Sequence, residues 1–361
     1  MAKHHILCIH GIGAHTNTWV KDKDDKNQSF EELFKEIWDG YPRLKGKIGQ
    51  LVELHSIHYD DEITKICQSW VSEAEKLKKG LASSPLLLGE VDWFTGAIDD
   101  ASAGINNADW QYTHLMDLLM FLSSPSIQDR LVTYVGNQII KLIEANGNDN
   151  FSLIGHSMGT AMAHKVIQAL FNEGVEMPDG SRQTLKGHFR FQNVCMVANT
   201  SYSLSRDRKK HYNPTVVRPT ATVGKGCCNT WINVNHKLDP VGRFMPFNYR
   251  EDSSWLDPLV DTAGFHDDIM PTRISSPNIH SINHYFRDPV VYMPYFDLTF
   301  DATLPAAIRK QQIEKFDDTT PEGKYKSLRS HLQVMDVSNK SSMSDLFKAI
   351  LEFRDLIKDF H

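Results

Sequence analysis

The chain has 361 residues, of which 41% are hydrophobic and 23% are charged, a composition typical of folded globular proteins. A formal net charge of −6 argues against a nucleic-acid partner, and the one basic run, over residues 205–212, is short enough to be a solvated loop. The apolar stretches are too short for a signal peptide or a stable membrane span. Five cysteines without a CxxC motif predict neither a disulfide framework nor a zinc site, so we expect a soluble cytoplasmic protein.

Strand and helix patterns alternate along the chain. Short apolar runs bounded by glycine, proline or polar residues predict strands over 5–13, 51–61, 151–154 and 191–200, and a strand ending in a loop over 230–244. Helix patterns cover 29–42, 62–80, 114–122, 126–146, 160–174 and 342–360. This alternation predicts a single α/β domain over residues 1–361, with a mostly parallel central sheet covered by helices on both faces.

Two segments fall outside this alternation. Residues 81–125 form an apolar, glycine-containing insertion, and its first part, "LASSPLLLGEVDWFTG", is a candidate lid because long loops of this kind are usually functional or mobile. The later "HLMDLLMFL" is better explained as a core helix. Residues 300–361 are expected to form a helical extension at the C-terminal end.

The stretch "FSLIGHSMGTAMAH", residues 151–164, places a serine between two glycines where a strand turns directly into a helix. A residue at the tip of such a turn is strained, and glycines on both sides remove side chains that would clash there. G-x-S-x-G in this context predicts a nucleophile elbow, which exposes the hydroxyl of Ser157 above the sheet. The alternative is a glycine-rich turn with an incidental serine.

A nucleophilic serine needs a base and an orienting carboxylate further along the chain. Asp239 is the best acid, because it directly follows an apolar strand and precedes a proline, although Asp-Pro is also a common turn former. Its rivals are Asp257, Asp261, Asp267 and Asp268.

The base is either His280 or His284, which both lie where a loop enters a helix. We favour His280, which comes first after the loop, and treat His266 as a weaker rival. The two histidines are four residues apart and could share a helix face, but without a neighbouring H-E-x-x-H glutamate we expect no zinc.

The oxyanion hole is expected from backbone N–H groups of Met158, which follows the serine, and of Ile12 or Gly11 in the loop after the first strand. The histidine before that loop, His10, is expected to brace it. The alternative that "GIGAHT" binds a dinucleotide is disfavoured, because the third glycine and a following helix are missing.

With "HGIG", "GHSMG", "LDPV" and "HSINHYFRDP" in this order, the chain resembles α/β-hydrolases of the lipase and serine-esterase kind. The resemblance is strongest over residues 5–20 and 150–170. It implies a serine hydrolase acting on an acyl ester or lipid without a cofactor or metal ion. Two alternatives stay open: an acyltransferase using the same acyl-enzyme, and a non-catalytic binding or scaffold protein on this fold.

Overall fold

The structure is a computed structural model. It describes residues 3–11, 15–24, 26–80, 125–147, 149–185, 187, 189–205, 209–212, 215–220, 225–243, 246–249, 255, 264–276, 278–333, 348 and 351. The candidate lid over residues 81–125 therefore lies outside the described residues except for its last position. The predicted C-terminal extension is described continuously to residue 333 and then only at residues 348 and 351.

The described residues form a six-stranded parallel sheet and a separate two-stranded antiparallel pair. The strands, numbered in chain order, are β1 His4–Ile9, β2 Val52–Ile57, β3 Phe151–His156, β4 Val175–Glu176, β5 Arg182–Gln183, β6 Phe191–Val197, β7 Cys228–Val234 and β8 Phe265–Ile269. The order in the large sheet is β2-β1-β3-β6-β7-β8, and β4 pairs with β5. The predicted α/β class with a parallel central sheet is thus confirmed.

Helices connect these strands and pack on both sheet faces. Their bounds are α1 Phe30–Asp39, α2 Ile48–Leu51, α3 Asp60–Gly80, α4 Pro125–Asn146, α5 Met158–Gln168, α6 Lys209–Tyr212, α7 Pro240–Arg243, α8 Ile282–Arg287, α9 Pro289–Phe300, α10 Ala306–Asp317 and α11 Pro321–Gln333. A short 3₁₀ helix spans Trp19–Lys21, and a π-helical turn over Ala169–Glu173 extends α5.

Alternation along the strands divides the hydrophobic side chains into two cores. In β1, Leu7 and Ile9 pack with α3, α4 and α5, whereas Ile6 and Cys8 face the opposite core with α1, α8 and α9. Successive strand residues point to opposite faces, so a parallel sheet covered by helices buries both sets. All four of these side chains are fully buried. Burying each large aliphatic side chain contributes about 1.5–3 kcal/mol to folding.

Helix α1 illustrates how local sequence sets these elements. Ser29 accepts a hydrogen bond from the Glu32 backbone, and the Glu32 carboxylate accepts one from the Ser29 backbone, so a capping box starts the helix. The buried residues recur at helical spacing and are Phe30, Leu33, Phe34, Ile37 and Trp38. The helix ends at Asp39, before Gly40, close to the predicted stop.

Strand β8 was not predicted, because its sequence "FHDDI" is polar and only its last residue, Ile269, is buried. Such a strand is compatible with its position at the edge of the sheet, where one side needs no partner strand. The β4–β5 pair was likewise missed within a polar connection. Among the described helices, none combines the length and the apolar character needed to cross a membrane.

Candidate active site

Ser157 occupies a strained backbone position between β3 and α5. Its φ of 55° and ψ of −129° are unusual for a residue with a side chain, and such strain costs on the order of 1–3 kcal/mol. A Cβ at Gly159 would lie 2.3 Å from the His10 backbone oxygen, and one at Gly155 would lie 3.1 Å from the Gly159 oxygen. Close backbone approach therefore excludes a side chain at Gly159 and leaves little room for one at Gly155, in agreement with the sequence prediction.

Two threonines hold the strained turn from behind. The Ser157 backbone oxygen accepts hydrogen bonds from the hydroxyls of Thr160 at 2.7 Å and Thr200 at 2.8 Å. The Ser157 backbone N–H donates to the Val197 oxygen at the end of β6, at 3.0 Å. These bonds fix the orientation of the serine, and no motif in the sequence pointed to Thr200.

Ser157 is less accessible than the elbow pattern predicts. Only 5% of the residue is exposed, because the His280 ring lies over its hydroxyl and the Gly11 backbone lies against its side chain. A Cβ added at Gly11 would sit 2.7 Å from the Ser157 Cβ, so glycine is required there too. The expectation that Ser157 is exposed at the turn is therefore wrong.

His280 connects Ser157 to Asp239. Its Nε2 lies 2.8 Å from Ser157 Oγ, and its Nδ1 lies 2.7 Å from Asp239 Oδ2. Since a carboxylate only accepts, Nδ1 donates to Asp239, and Nε2 is then the ring nitrogen that can accept a hydrogen bond from the Ser157 hydroxyl. The ring nitrogen beside the serine is thus the one able to act as a base.

The Asp239 carboxylate is fully buried and accepts three hydrogen bonds. Besides His280, the Tyr285 hydroxyl donates to Oδ2 at 2.7 Å, and the Val241 backbone N–H donates to Oδ1 at 2.9 Å. Burial by itself raises the pKa of Asp239, but the bond and charge of His280, with the Tyr285 and Val241 bonds, outweigh it and lower the pKa to about 2. The group is therefore a carboxylate at neutral pH.

The structure separates the two candidate histidines. His280 lies in the turn before α8, whereas His284 lies inside that helix, 1% exposed, with Nδ1 3.2 Å from the Ser275 hydroxyl. Burial, followed by the nearby His236, lowers the pKa of His284 to about 3, so this ring is neutral near pH 7. The structure brings Ser157, Asp239 and His280 together, and it places His284 in the packing beside them.

The rival residues are placed differently. His266 and two of the rival aspartates, Asp267 and Asp268, lie on β8, while Asp257 and Asp261 lie outside the described residues. The carboxylate that His280 contacts is that of Asp239.

Of the expected oxyanion donors, Met158 begins α5 directly after the serine, and Gly11 packs against the serine side chain. Ile12 lies outside the described residues. Both described residues thus adjoin Ser157, Met158 in the chain and Gly11 in space. His10 braces the Gly11 segment, as expected, through Nδ1, which donates to the Gly11 oxygen at 2.7 Å.

Two further positioning residues were missed by sequence reasoning. The Tyr285 hydroxyl accepts a hydrogen bond from the His236 backbone N–H at 3.1 Å while it donates to Asp239, so it connects the loop after β7, which carries the acid, to α8. His156 donates from Nε2 to the backbone oxygen of His280 at 2.7 Å. Burial, then the proximity of His280, lowers the pKa of His156 to about 3, so it stays neutral. Its position directly before Ser157 was the only available signal.

A serine, a histidine and a buried carboxylate in one hydrogen-bonded line can activate the serine hydroxyl for attack on an acyl carbon. Comparisons with known protein families, curated proteins and solved structures find no match for this chain. The assignment of an activity therefore rests on the geometry and on the chemistry of these side chains.

Proposed function

We propose that the protein is a serine hydrolase that cleaves carboxylic esters through an acyl-enzyme on Ser157. The observation that carries this proposal is the continuous hydrogen-bonded line from Ser157 Oγ through His280 to Asp239, with distances of 2.8 and 2.7 Å. Its position at a strained strand-to-helix turn is additional support, because turns of this kind present nucleophiles in hydrolases. A binding protein would have no need to keep this strain.

In the proposed reaction, Ser157 Oγ attacks the ester carbonyl while His280 Nε2 takes the hydroxyl proton. Asp239 stabilises the resulting imidazolium and holds its tautomer. Backbone N–H groups of Met158 and of the Gly11–Ile12 segment receive the oxyanion of the tetrahedral intermediate. His280 then returns the proton to the departing alcohol oxygen, which leaves an acyl ester on Ser157.

The second half of the reaction repeats these steps with water. His280 takes a proton from the water molecule, whose oxygen attacks the acyl carbon, and the collapse of the second tetrahedral intermediate releases the carboxylic acid. The proton returns from His280 to the Ser157 oxygen. No cofactor or metal ion is needed for any of these steps.

We also propose that the parallel sheet belongs to the α/β-hydrolase type. In that fold the nucleophile, the acid and the histidine follow different strands, in the chain order Ser, Asp, His. Here Ser157 follows β3, Asp239 follows the end of β7 by five residues, and His280 lies beyond β8. The agreement in chain order supports the proposal. An apolar acyl chain is the proposed substrate class, on the basis of the apolar 81–125 insertion.

The proposal is tested with a series of p-nitrophenyl esters from acetyl to long acyl chains. We expect wild-type protein to hydrolyse them with a preference for medium or long chains, and Ser157→Ala to lose the activity while remaining folded. Product analysis with added alcohols distinguishes hydrolysis from acyl transfer. Equal rates for the wild type and Ser157→Ala would refute the assignment of the nucleophile, and a flat chain-length profile would refute the apolar substrate class.

A further inference from the structure

Three metal-binding side chains meet at the ends of β1 and β2, beside the candidate active site. His10 follows β1, His58 follows β2, and Asp60 begins α3. Because β1 and β2 are parallel neighbours, their carboxyl ends meet at the same edge of the sheet. His10 Nε2 lies 3.6 Å from Asp60 Oδ1, and His58 Nε2 lies 3.9 Å from Asp60 Oδ2. One ligand atom from each residue lies within 4.8 Å of the other two.

The protonation of His10 leaves a lone pair aimed into this cluster. Its Nδ1 lies 2.7 Å from the Gly11 backbone oxygen, which can only accept, so Nδ1 carries the proton of the neutral ring. Nε2 is then an acceptor, and it is fully buried without a hydrogen-bond partner. This nitrogen and the Asp60 carboxylate are both acceptors, and they face each other. A cation between them could bind to both.

A neutral imidazole is the form in which histidine binds a metal ion.

The spacing is close to what a transition metal requires. Zinc bonds to histidine nitrogen and carboxylate oxygen are about 2.0–2.2 Å long, which places neighbouring ligands of a tetrahedral site about 3.3–3.5 Å apart. The separations of 3.6 Å to Asp60 Oδ1 and 3.9 Å to Asp60 Oδ2 exceed this range by a few tenths of an ångström, and all three ligand atoms lie within 4.8 Å of one another. Binding one ion therefore requires side-chain rotations that draw the three ligand atoms together.

The outer contacts resemble those that orient metal ligands. Metal-binding histidines usually donate their other ring N–H to a carbonyl or carboxylate, as His10 does to Gly11. His58 Nε2 lies 2.9 Å from the His15 backbone oxygen, so metal binding replaces that hydrogen bond. The proton then moves to His58 Nδ1, which lies 3.8 Å from the Asp61 carboxylate. Asp60 Oδ2 is held by the His15 backbone N–H at 2.7 Å.

We propose that His10, His58 and Asp60 bind a divalent transition-metal ion, with Zn²⁺ as the ion that best suits two imidazoles and one carboxylate. The site would tie the end of β1, and with it the Gly11 segment beside Ser157, to the start of α3. It is a structural site separate from the proposed ester hydrolysis. Measurement of metal binding tests this proposal without any assay of ester hydrolysis.

A second cluster, formed by His5, Glu53 and His55, provides a matched control. Its two imidazoles are already hydrogen-bonded to each other, with His5 Nδ1 2.9 Å from His55 Nε2. The Glu53 side chain is 45% exposed and paired with Lys3. This cluster lacks a buried unpaired nitrogen, so we expect it to bind metal weakly or not at all.

The test uses metal-stripped full-length protein titrated with Co²⁺, whose visible absorption reports the coordination of the ion, followed by displacement with Zn²⁺. We expect one ion per chain in the wild type and in His55→Ala. Binding should weaken by about 100-fold or more in His58→Ala and in Asp60→Asn, since each removes a direct ligand, whereas loss of outer contacts costs 10–100-fold. Zn²⁺ should raise the Tm of the wild type but not that of Asp60→Asn.

Asp60→Asn keeps an oxygen that can accept the His15 N–H, so it is the variant least expected to unfold. Absence of saturable Co²⁺ binding in the wild type would overturn the proposal. It would also be overturned if both ligand variants kept the wild-type affinity, or if His55→Ala alone lost it.

Discussion

Replacing Asp239 with asparagine exchanges one oxygen for an NH₂ group in a buried carboxylate that accepts three hydrogen bonds. If the NH₂ takes the Oδ2 position, it meets the Tyr285 hydroxyl and the His280 Nδ1–H, which are both donors. If it takes the Oδ1 position, it meets the Val241 backbone N–H. One way to relieve the first conflict is the other His280 tautomer, in which Nε2 carries the proton and cannot accept one from Ser157.

The expected loss of kcat/KM is about 10⁴-fold, the size seen when a triad aspartate becomes asparagine, or about 5.5 kcal/mol of transition-state stabilisation. The lowering of the Asp239 pKa from 3.8 to about 2 stabilises the folded protein by about 2 kcal/mol. Because the folded pKa is depressed, this contribution is complete above about pH 4 and disappears as the pH falls towards 2. Urea unfolding across this range should show the wild type losing its advantage over Asp239→Asn.

The kinetic assay is p-nitrophenyl ester hydrolysis, with folding checked by circular dichroism. Asp268→Asn is the matched control, because this rival aspartate is exposed on β8. It should keep wild-type kinetics. A folded Asp239→Asn protein with more than about one tenth of the wild-type kcat/KM, or inactivation by Asp268→Asn, would refute the assignment of the acid.

His284→Gln should keep turnover, and inactivation would point to His284 as the base. Its free energy of unfolding in urea should fall less steeply than that of the wild type between pH 6.5 and 3, because His284 binds a proton over this range only in the unfolded chain. Tyr285→Phe should lower kcat/KM about tenfold, as expected for one lost hydrogen bond to the Asp239 carboxylate, while an unchanged rate would remove its positioning role. Gly159→Ala should destabilise the fold by about 3 kcal/mol or more in thermal unfolding, since its Cβ would lie 2.4 Å from a backbone oxygen at the end of β1. Gly49→Ala, where a Cβ meets nothing within 4 Å, should leave Tm unchanged or slightly raised; equal effects of the two changes would contradict the packing.

Local patterns with strong steric demands could be predicted from the sequence. The glycines around Ser157 indicate a close backbone approach, and the apolar run before Asp239 indicates where a strand ends. The structure shows both features. Strand β8 could not be predicted, because its residues are mostly polar and it forms a strand by pairing with β7 at the edge of the sheet.

Interactions between distant residues were harder to predict. The choice between His280 and His284 depends on where α8 begins, and sequence patterns define a helix boundary only to within one or two residues. Pairing between strands far apart in sequence brings Thr200 within hydrogen-bond distance of Ser157. It also brings the His10 ring close to the His58 ring. No spacing within a single segment encodes those contacts.

The central claim is that Ser157 is a nucleophile activated by His280, and fluorophosphonate labelling measures this directly. The wild type, Ser157→Ala and His280→Ala are treated with the reagent, and the modified residue is located by mass spectrometry of peptides. We predict a single rapid adduct on Ser157 in the wild type, none at this position in Ser157→Ala, and strongly slowed labelling in His280→Ala. An unlabelled Ser157 in folded wild-type protein, or labelling of His280→Ala at the wild-type rate, would contradict the claim.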